Sequence, residues 1–153
     1  MTADVQLRPV EPGDLPIFYE HQRDAEAARM AAFVSRDRAA FDAHWARNVL
    51  GNPAAVTRTI LAGGQVAGYI GSWPDEGGRQ IGYWIGKTYW GQGVATRALA
   101  EFLHVVPERP LYAHVAAHNA ASIRVLERCG FRFEREESVE GEHAVVEHVF
   151  ALP

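Results

Sequence analysis

Hydrophobic positions change their spacing along the chain. Val5, Leu7 and Pro9 alternate with polar neighbours, and Glu11-Pro12-Gly13-Asp14 then punctuates the chain, which predicts a first strand, a turn and a helix over Leu15–Gln22. Asp24–Met30 is Ala-rich and helix-prone, and Asp37–Val49 sets Phe41, Trp45 and Val49 four residues apart, a second amphipathic face. This early part is expected to be largely helical.

After Gly51-Asn52-Pro53 the character changes. Val56–Leu61 and Gln65–Trp73 are rich in β-formers and joined by Ala62-Gly63-Gly64, a hairpin signal. Pro74-Asp75-Glu76-Gly77-Gly78 turns the chain into Ile81–Ile85, so three strands form a meander. Helical spacing returns over Val94–Val106, with Ala95, Leu99, Phe102, Leu103 and Val106 on one side and Pro107 as the stop. Leu111–Ala116 reads as a short strand, Asn119–Cys129 as a helix closed by Gly130, and Phe131–Arg135 and Ala144–Leu152 as the last two strands. The order is mixed α/β, without internal repeat or linker.

Composition narrows the function classes. At 153 residues with 48% hydrophobic content, the chain has the size and apolar content of one domain spanning residues 1–153. A net charge of -4 and scattered Lys and Arg offer no basic stripe for a phosphate backbone, so no nucleic-acid partner is expected. The lone Cys129 cannot form an internal disulfide and sits where a buried thiol is common. The first residues lack a basic flank and an apolar h-region, and no apolar stretch nears membrane-spanning length. A cytoplasmic protein without a membrane partner is expected.

Chemistry concentrates at Trp90-Gly91-Gln92-Gly93-Val94-Ala95-Thr96, between a predicted strand and a predicted helix. A helix that opens without a Ser, Thr, Asp or Asn cap leaves backbone N–H groups unpaired, and glycines let an anion approach them. Two glycines also suit a plain tight turn. Two nucleotide motifs fail here: a Walker A loop needs a terminal Gly-Lys-Ser/Thr, and a dinucleotide fingerprint needs a glycine at Thr96 and an acidic residue where His114-Val115-Ala116 stands.

The segment Ile81-Gly82-Tyr83-Trp84-Ile85, the turn Tyr89–Thr96, and the helix Asn119-Ala120-Ala121-Ser122 running to Cys129-Gly130-Phe131 resemble the GCN5-related N-acetyltransferases (GNAT), in the branch of the ribosomal-protein N-terminal acetyltransferases (RimJ/RimL-like). The likeness follows the element order of nearly the whole chain and is densest from Ile81 to Phe131. It implies a central, mostly antiparallel sheet, splayed between two strands, with helices on both faces. It also implies acetyl-CoA as acyl donor, with the pyrophosphate on N–H groups of Gly91, Gln92, Gly93, Val94, Ala95 and Thr96. The pantetheine arm would lie between the strands ending at Ile85 and Ala116, against Tyr83, Trp84 and Ile85, pairing with a strand edge as a guest strand does. Trp90 replaces the family's usual Gln or Arg, and Arg97 stands where the branch often has Glu.

Acyl transfer to an amine needs a neutral amine, a donor for the developing oxyanion and a proton for the departing thiolate. Many relatives place a Tyr on the second helix where this chain has Leu126. The branch's serine, one helical turn earlier, corresponds to Ser122, which is expected near the coenzyme sulfur, and Asn119, expected to cap the same helix, is a catalytic and coenzyme-binding candidate beside it. Glu147, on the last strand, is the candidate base, beside Asp75 and Glu76 in the hairpin turn; a water chain would serve as well. His44 and Trp45 are candidates for the acceptor pocket, and no histidine grouping has metal-ligand spacing. The expected reaction is acetyl transfer to a primary amine by direct attack, the acceptor being a peptide or protein α-amino group, a small amine or an amino-sugar. The alternatives are a non-catalytic acyl-CoA-binding module, which the loss of the helix tyrosine would suit, and a homodimer that completes the pocket.

Overall fold

A computed structural model describes residues 4–140 and 145–153. Its elements, in chain order, are β1 (Val5–Pro9), α1 (Leu15–Arg23), α2 (Ala25–Ala31), α3 (Arg38–His44), β2 (Val56–Ala62), β3 (Gln65–Asp75), β4 (Gly78–Ile85), α4 (Val94–Val105), β5 (Leu111–Ala116), α5 (Ala120–Arg128), β6 (Arg132–Val139) and β7 (Val145–Leu152). The strands form one seven-stranded sheet in the order β1-β2-β3-β4-β5-β7-β6. Every neighbouring pair is antiparallel except β4–β5, which is parallel. That pair joins only at Arg79↔Leu111 and Gln80↔Tyr112. Beyond Gln80 the two strands part, which is the expected splay, and the inner edges of Ile81–Ile85 and Ala113–Ala116 are left unpaired with each other.

Helices cover both faces. On one, Val94, Ala98, Leu99 and Phe102 of α4 and Leu126 of α5 pack on Ile60, Ile70, Ile81, Leu111 and Phe150 of the sheet. Their positions on α4 are the four-and-three spacing of an amphipathic helix, and removing a ring such as that of the fully buried Phe102 would cost about 3–5 kcal/mol. On the other face Phe18 of α1, Phe41 of α3 and Trp45 form a second cluster, joined by Val66 and Tyr69 of β3. Phe18 and Trp45 stack with centroids 5.2 Å apart, and Trp45 meets Tyr69 edge-on at 4.8 Å. A bulge lets β3 serve both clusters: Ile60 pairs with Gly68 but Leu61 with Val66, leaving Ala67 unpaired.

Three boundaries differ from the periodicity. The Asp37–Val49 helix ends its α-helical hydrogen bonding at His44 and finishes as a wider π-turn over Trp45–Val49. β3 runs through Pro74 to Asp75, pairing with Arg79 and Gly78; β2 starts only opposite Ser72, so Pro74 lies at an edge where its missing N–H removes no ladder bond. β6 extends to Val139 rather than stopping at Arg135, and Ala144, the expected start of the last strand, lies outside the described residues.

Candidate active site

The parting of β4 from β5 opens a cleft of about 430 Å³, walled by β4, α2, the Gly-rich turn, α4 and α5. Its first wall is the turn itself. Gly91 and Gly93 have φ of 74° and 75°, left-handed values that side-chain-bearing residues avoid, and a Cβ at either would meet nothing within 4 Å. Both glycines are therefore required by backbone conformation, and open space lies where side chains would stand. Gly93 occupies the cap position of α4, and no side chain caps the helix. The ladder begins with Arg97 N–H donating to Gly93 O, so the N–H groups of Val94, Ala95 and Thr96 lie ahead of it, at the positive end of the helix dipole.

The turn is held by its own side chains. Trp90 Nε1 donates to Ile85 O at 3.0 Å, and Gln92 Nε2 donates to Thr88 O at 3.0 Å. Gln92 does not line the cleft, whereas Gly91, Gly93, Val94, Ala95 and Thr96 do. Arg124 and Arg128 of α5 also line it; the helical pattern gave no reason to separate them from solvated surface arginines.

Tyr83, Trp84 and Ile85 form the β4 side of the cleft. Gly68 on β3 makes this edge possible, since a Cβ there would stand 2.0 Å from Trp84 O. Opposite stand Ala27, Met30 and Ala31 of α2, which the sequence did not single out. The position of α2 is fixed by three local contacts. Asp24 accepts from Ala27 N–H as its cap, Glu26 pairs with Lys87 after β4, and His118 Nε2 lies 2.9 Å from Arg29 O.

Asn119 Oδ1 accepts from Ser122 N–H at 3.2 Å, capping α5 and setting the serine in its first turn. Ser122 Oγ lies 2.7 Å from the Tyr83 hydroxyl, a contact between residues 39 apart in sequence. Burial pushes the Tyr83 phenol up to about 12, against the opposing effect of the Ser122 hydrogen bond. Leu126 is buried, 1% exposed, and belongs to the core. Cys129 donates to Thr96 O at 3.6 Å, and burial raises its thiol, the reverse of what a nucleophile needs.

A second cavity, of about 360 Å³, lies among α1, α3, the π-turn, β2, β3 and β4. It includes His44 and Trp45. Tyr83 alone, among the described residues, lines both cavities. Gly71 and Gly82 are opposite each other in the β3–β4 register and line this cavity without side chains. Glu147 lines neither cavity. It pairs in register with Ala116, and its carboxylate lies 3.6 Å from His114 Nδ1, which is 3.8 Å from Glu137. Asp75 and Glu76 are exposed at the hairpin tip, where Asp75 accepts from Gly77 N–H. Among the described residues no group of three or more His, Cys, Asp or Glu could hold a metal ion, and no helix is long and apolar enough to cross a membrane.

No curated protein matches the chain at a significant level. Solved structures share its fold. The spermidine N-acetyltransferase from Vibrio cholerae, in complex with CoA and spermine, is 16% identical with a TM-score of 0.77, over 95% of this chain and 94% of that one. The ribosomal-protein α-N-acetyltransferase RimL, in complex with coenzyme A, is 16% identical with a TM-score of 0.77, over 99% of this chain and 94% of that one. RimJ of Mycobacterium smegmatis, in complex with a CoA disulfide, is 24% identical with a TM-score of 0.74, over 97% and 81%. The model of the acetyltransferase (GNAT) domain matches residues 4–132, which span the Gly-rich turn, both flanking helices and the splayed strands. The chain belongs to the GNAT family of acetyltransferases.

Proposed function

We propose that the chain moves an acetyl group from acetyl-CoA to a primary amine by direct attack, with Ser122 and Tyr83 supplying the proton that the departing thiolate needs. The cleft's chemistry suits coenzyme A along its length. Uncapped N–H groups of Val94–Thr96 and the cations of Arg124 and Arg128 suit a pyrophosphate, and the unpaired inner edge of β4 suits the amides of a pantetheine arm.

The observation that carries the reading is the pair of hydroxyls lining this cleft. Two hydroxyls 2.7 Å apart share one of their two hydrogens, so the other is free to be donated outward. With its phenol pushed up to about 12, Tyr83 stays protonated at any working pH. The amine's nitrogen attacks the thioester carbonyl, the C–S bond breaks, and the sulfur takes its proton from the pair. The amine's own proton leaves to water, since among the described residues no Asp or Glu lines either cavity, and water returns a proton to the hydroxyl pair.

The acceptor is a primary amine of a small molecule or of a peptide or protein N-terminus. Thiol release from acetyl-CoA across an amine panel tests the reading. Turnover abolished or sharply reduced by Ser122→Ala, with acetyl-CoA affinity intact, supports it; wild-type turnover in that variant overturns the role of the pair.

A further inference from the structure

The second cavity is too particular in its chemistry to accept every amine. Phe33, Phe41, Trp45, Tyr69 and Trp73 give it aromatic walls, and none of its lining residues among those described is acidic. Among the described residues its one fully charged lining residue is Arg36. That guanidinium stands 5.3 Å from the centre of the Phe33 ring, and no ion pair among the described residues uses it. Its backbone is pinned: Arg36 N–H donates to Gln22 Oε1, and Gln22 Nε2 donates to Arg36 O. A buried glutamine on α1 thus pins the backbone of the residue whose guanidinium lines the cavity.

The charge is felt inside. Arg36 opposes protonation of His44, adding to the larger effect of burial, and it favours ionisation of Tyr69 against the larger opposing effect of burial. His44 is held below the usual imidazole range, chiefly by burial and then by Arg36, so it is neutral near pH 7. Asn48 Nδ2 lies 3.1 Å from His44 Nδ1; an amide N–H can only donate, so the neutral ring carries its hydrogen on Nε2. The cavity therefore offers a cation, a neutral N–H donor and aromatic surface, with no anion among the described residues.

Resting on the acetyl-transfer reading above, we infer that the acceptor is a compact monoamine with an apolar or aromatic body and a carboxylate for Arg36, the chemistry of a large apolar free amino acid, and that polyamines and aminoglycosides are excluded. A volume of about 360 Å³ lies at the lower end of the range for small-molecule sites and admits one such molecule. A second ammonium group would have to leave water beside Arg36 with no carboxylate among the described lining residues to receive it. The reacting amine must lose its proton before attack, so it needs no counter-charge.

The test uses the full chain saturated with coenzyme A or acetyl-CoA and has two readouts. Thiol release is measured with phenylalanine, leucine and methionine, with their methyl esters, with spermidine and with kanamycin. Binding of the same amines is measured by titration in the presence of coenzyme A. The expected result is that the free acids outrun spermidine and kanamycin by tenfold or more, and that Arg36→Gln raises KM and Kd for the acids about tenfold while moving the esters less than twofold. A preference for spermidine or kanamycin, or an equal effect of Arg36→Gln on acid and ester, overturns the inference. If no amine releases thiol but the acids bind in an Arg36-dependent way, the transfer reading fails and the cavity assignment stands; if the acids do not bind, the cavity assignment fails.

Discussion

The hydroxyl of Tyr83 lies 2.7 Å from Ser122 Oγ, joining the middle of β4 to the first turn of α5. Asn119 fixes the serine's backbone by capping the same helix, so the pair is positioned from both sides before any ligand enters.

Because the two hydroxyls act as a unit, their removal should not be additive. Ser122→Ala and Tyr83→Phe are each expected to lower kcat about 10–100-fold, with acetyl-CoA KM within twofold, and the double variant should fall little below the worse single one. Steady-state thiol release gives all four corners of the cycle. Additive losses would show two independent roles.

The pair also fixes a pH dependence. Burial holds Tyr83 at about 12, above its ordinary 10.0, so the protonated phenol persists up to that value. No loss of kcat from this group is expected on raising the pH to 10. A basic limb with a midpoint near 10 that disappears in Tyr83→Phe would contradict the protonated pair.

Glu147 is expected to matter less. It lines neither cavity and lies beside His114, so Glu147→Gln should leave kcat within about threefold of wild type, far from the effect of losing a positioned acid or base. A loss of a hundredfold or more would restore it as the base.

Much of the site was legible because its determinants are local. Gly91 and Gly93 are read from sequence since left-handed φ needs glycine, and the missing cap on α4 is visible as the absence of a residue type. The Asn119 cap is equally local. The Tyr83–Ser122 bond was not legible, because it depends on how far β4 and β5 part. Nor was the aromatic cavity: Phe33 and Trp73 come from distant segments, and helical spacing assigns Trp45 to packing, which it also performs. The length of β6 was hidden for another reason. Glu134–Glu137 lie on an edge strand with exposed or half-exposed positions and a bulge between Phe133 and Arg135, so no alternation marks it; its partners are charges, such as His148 with Glu136.

The turn can be separated into backbone and space. Gly93→Ala places a Cβ in open space but at φ of 75°, so it should lower stability by about 1–2 kcal/mol and weaken coenzyme binding modestly. Gly93→Glu adds bulk and negative charge where the phosphates would lie, and binding by calorimetry should be lost. Equal affinity in the two variants would remove the phosphate cradle from this turn.

Away from the site, Asp14 anchors the entry to α1. Its carboxylate, 3% exposed, accepts from Arg8 at 2.7 and 2.8 Å, from Thr59 Oγ1 at 2.7 Å and from Glu11 N–H at 2.8 Å. The Arg8 guanidinium is the main cause that holds its carboxyl at about 2, below the ordinary 3.8. A carboxyl depressed on folding adds stability that is fully present above its unfolded value and is lost as pH falls through its folded one. The gap corresponds to about 2 kcal/mol. Asp14→Asn should therefore reduce unfolding stability by about that amount at pH 7, and the difference from wild type should shrink between pH 4 and pH 2. Urea unfolding midpoints at pH 7, 4, 3 and 2 measure it. A difference that stays constant down to pH 2 would mean that Asp14 holds α1 by shape and neutral hydrogen bonds, with no contribution from its charge.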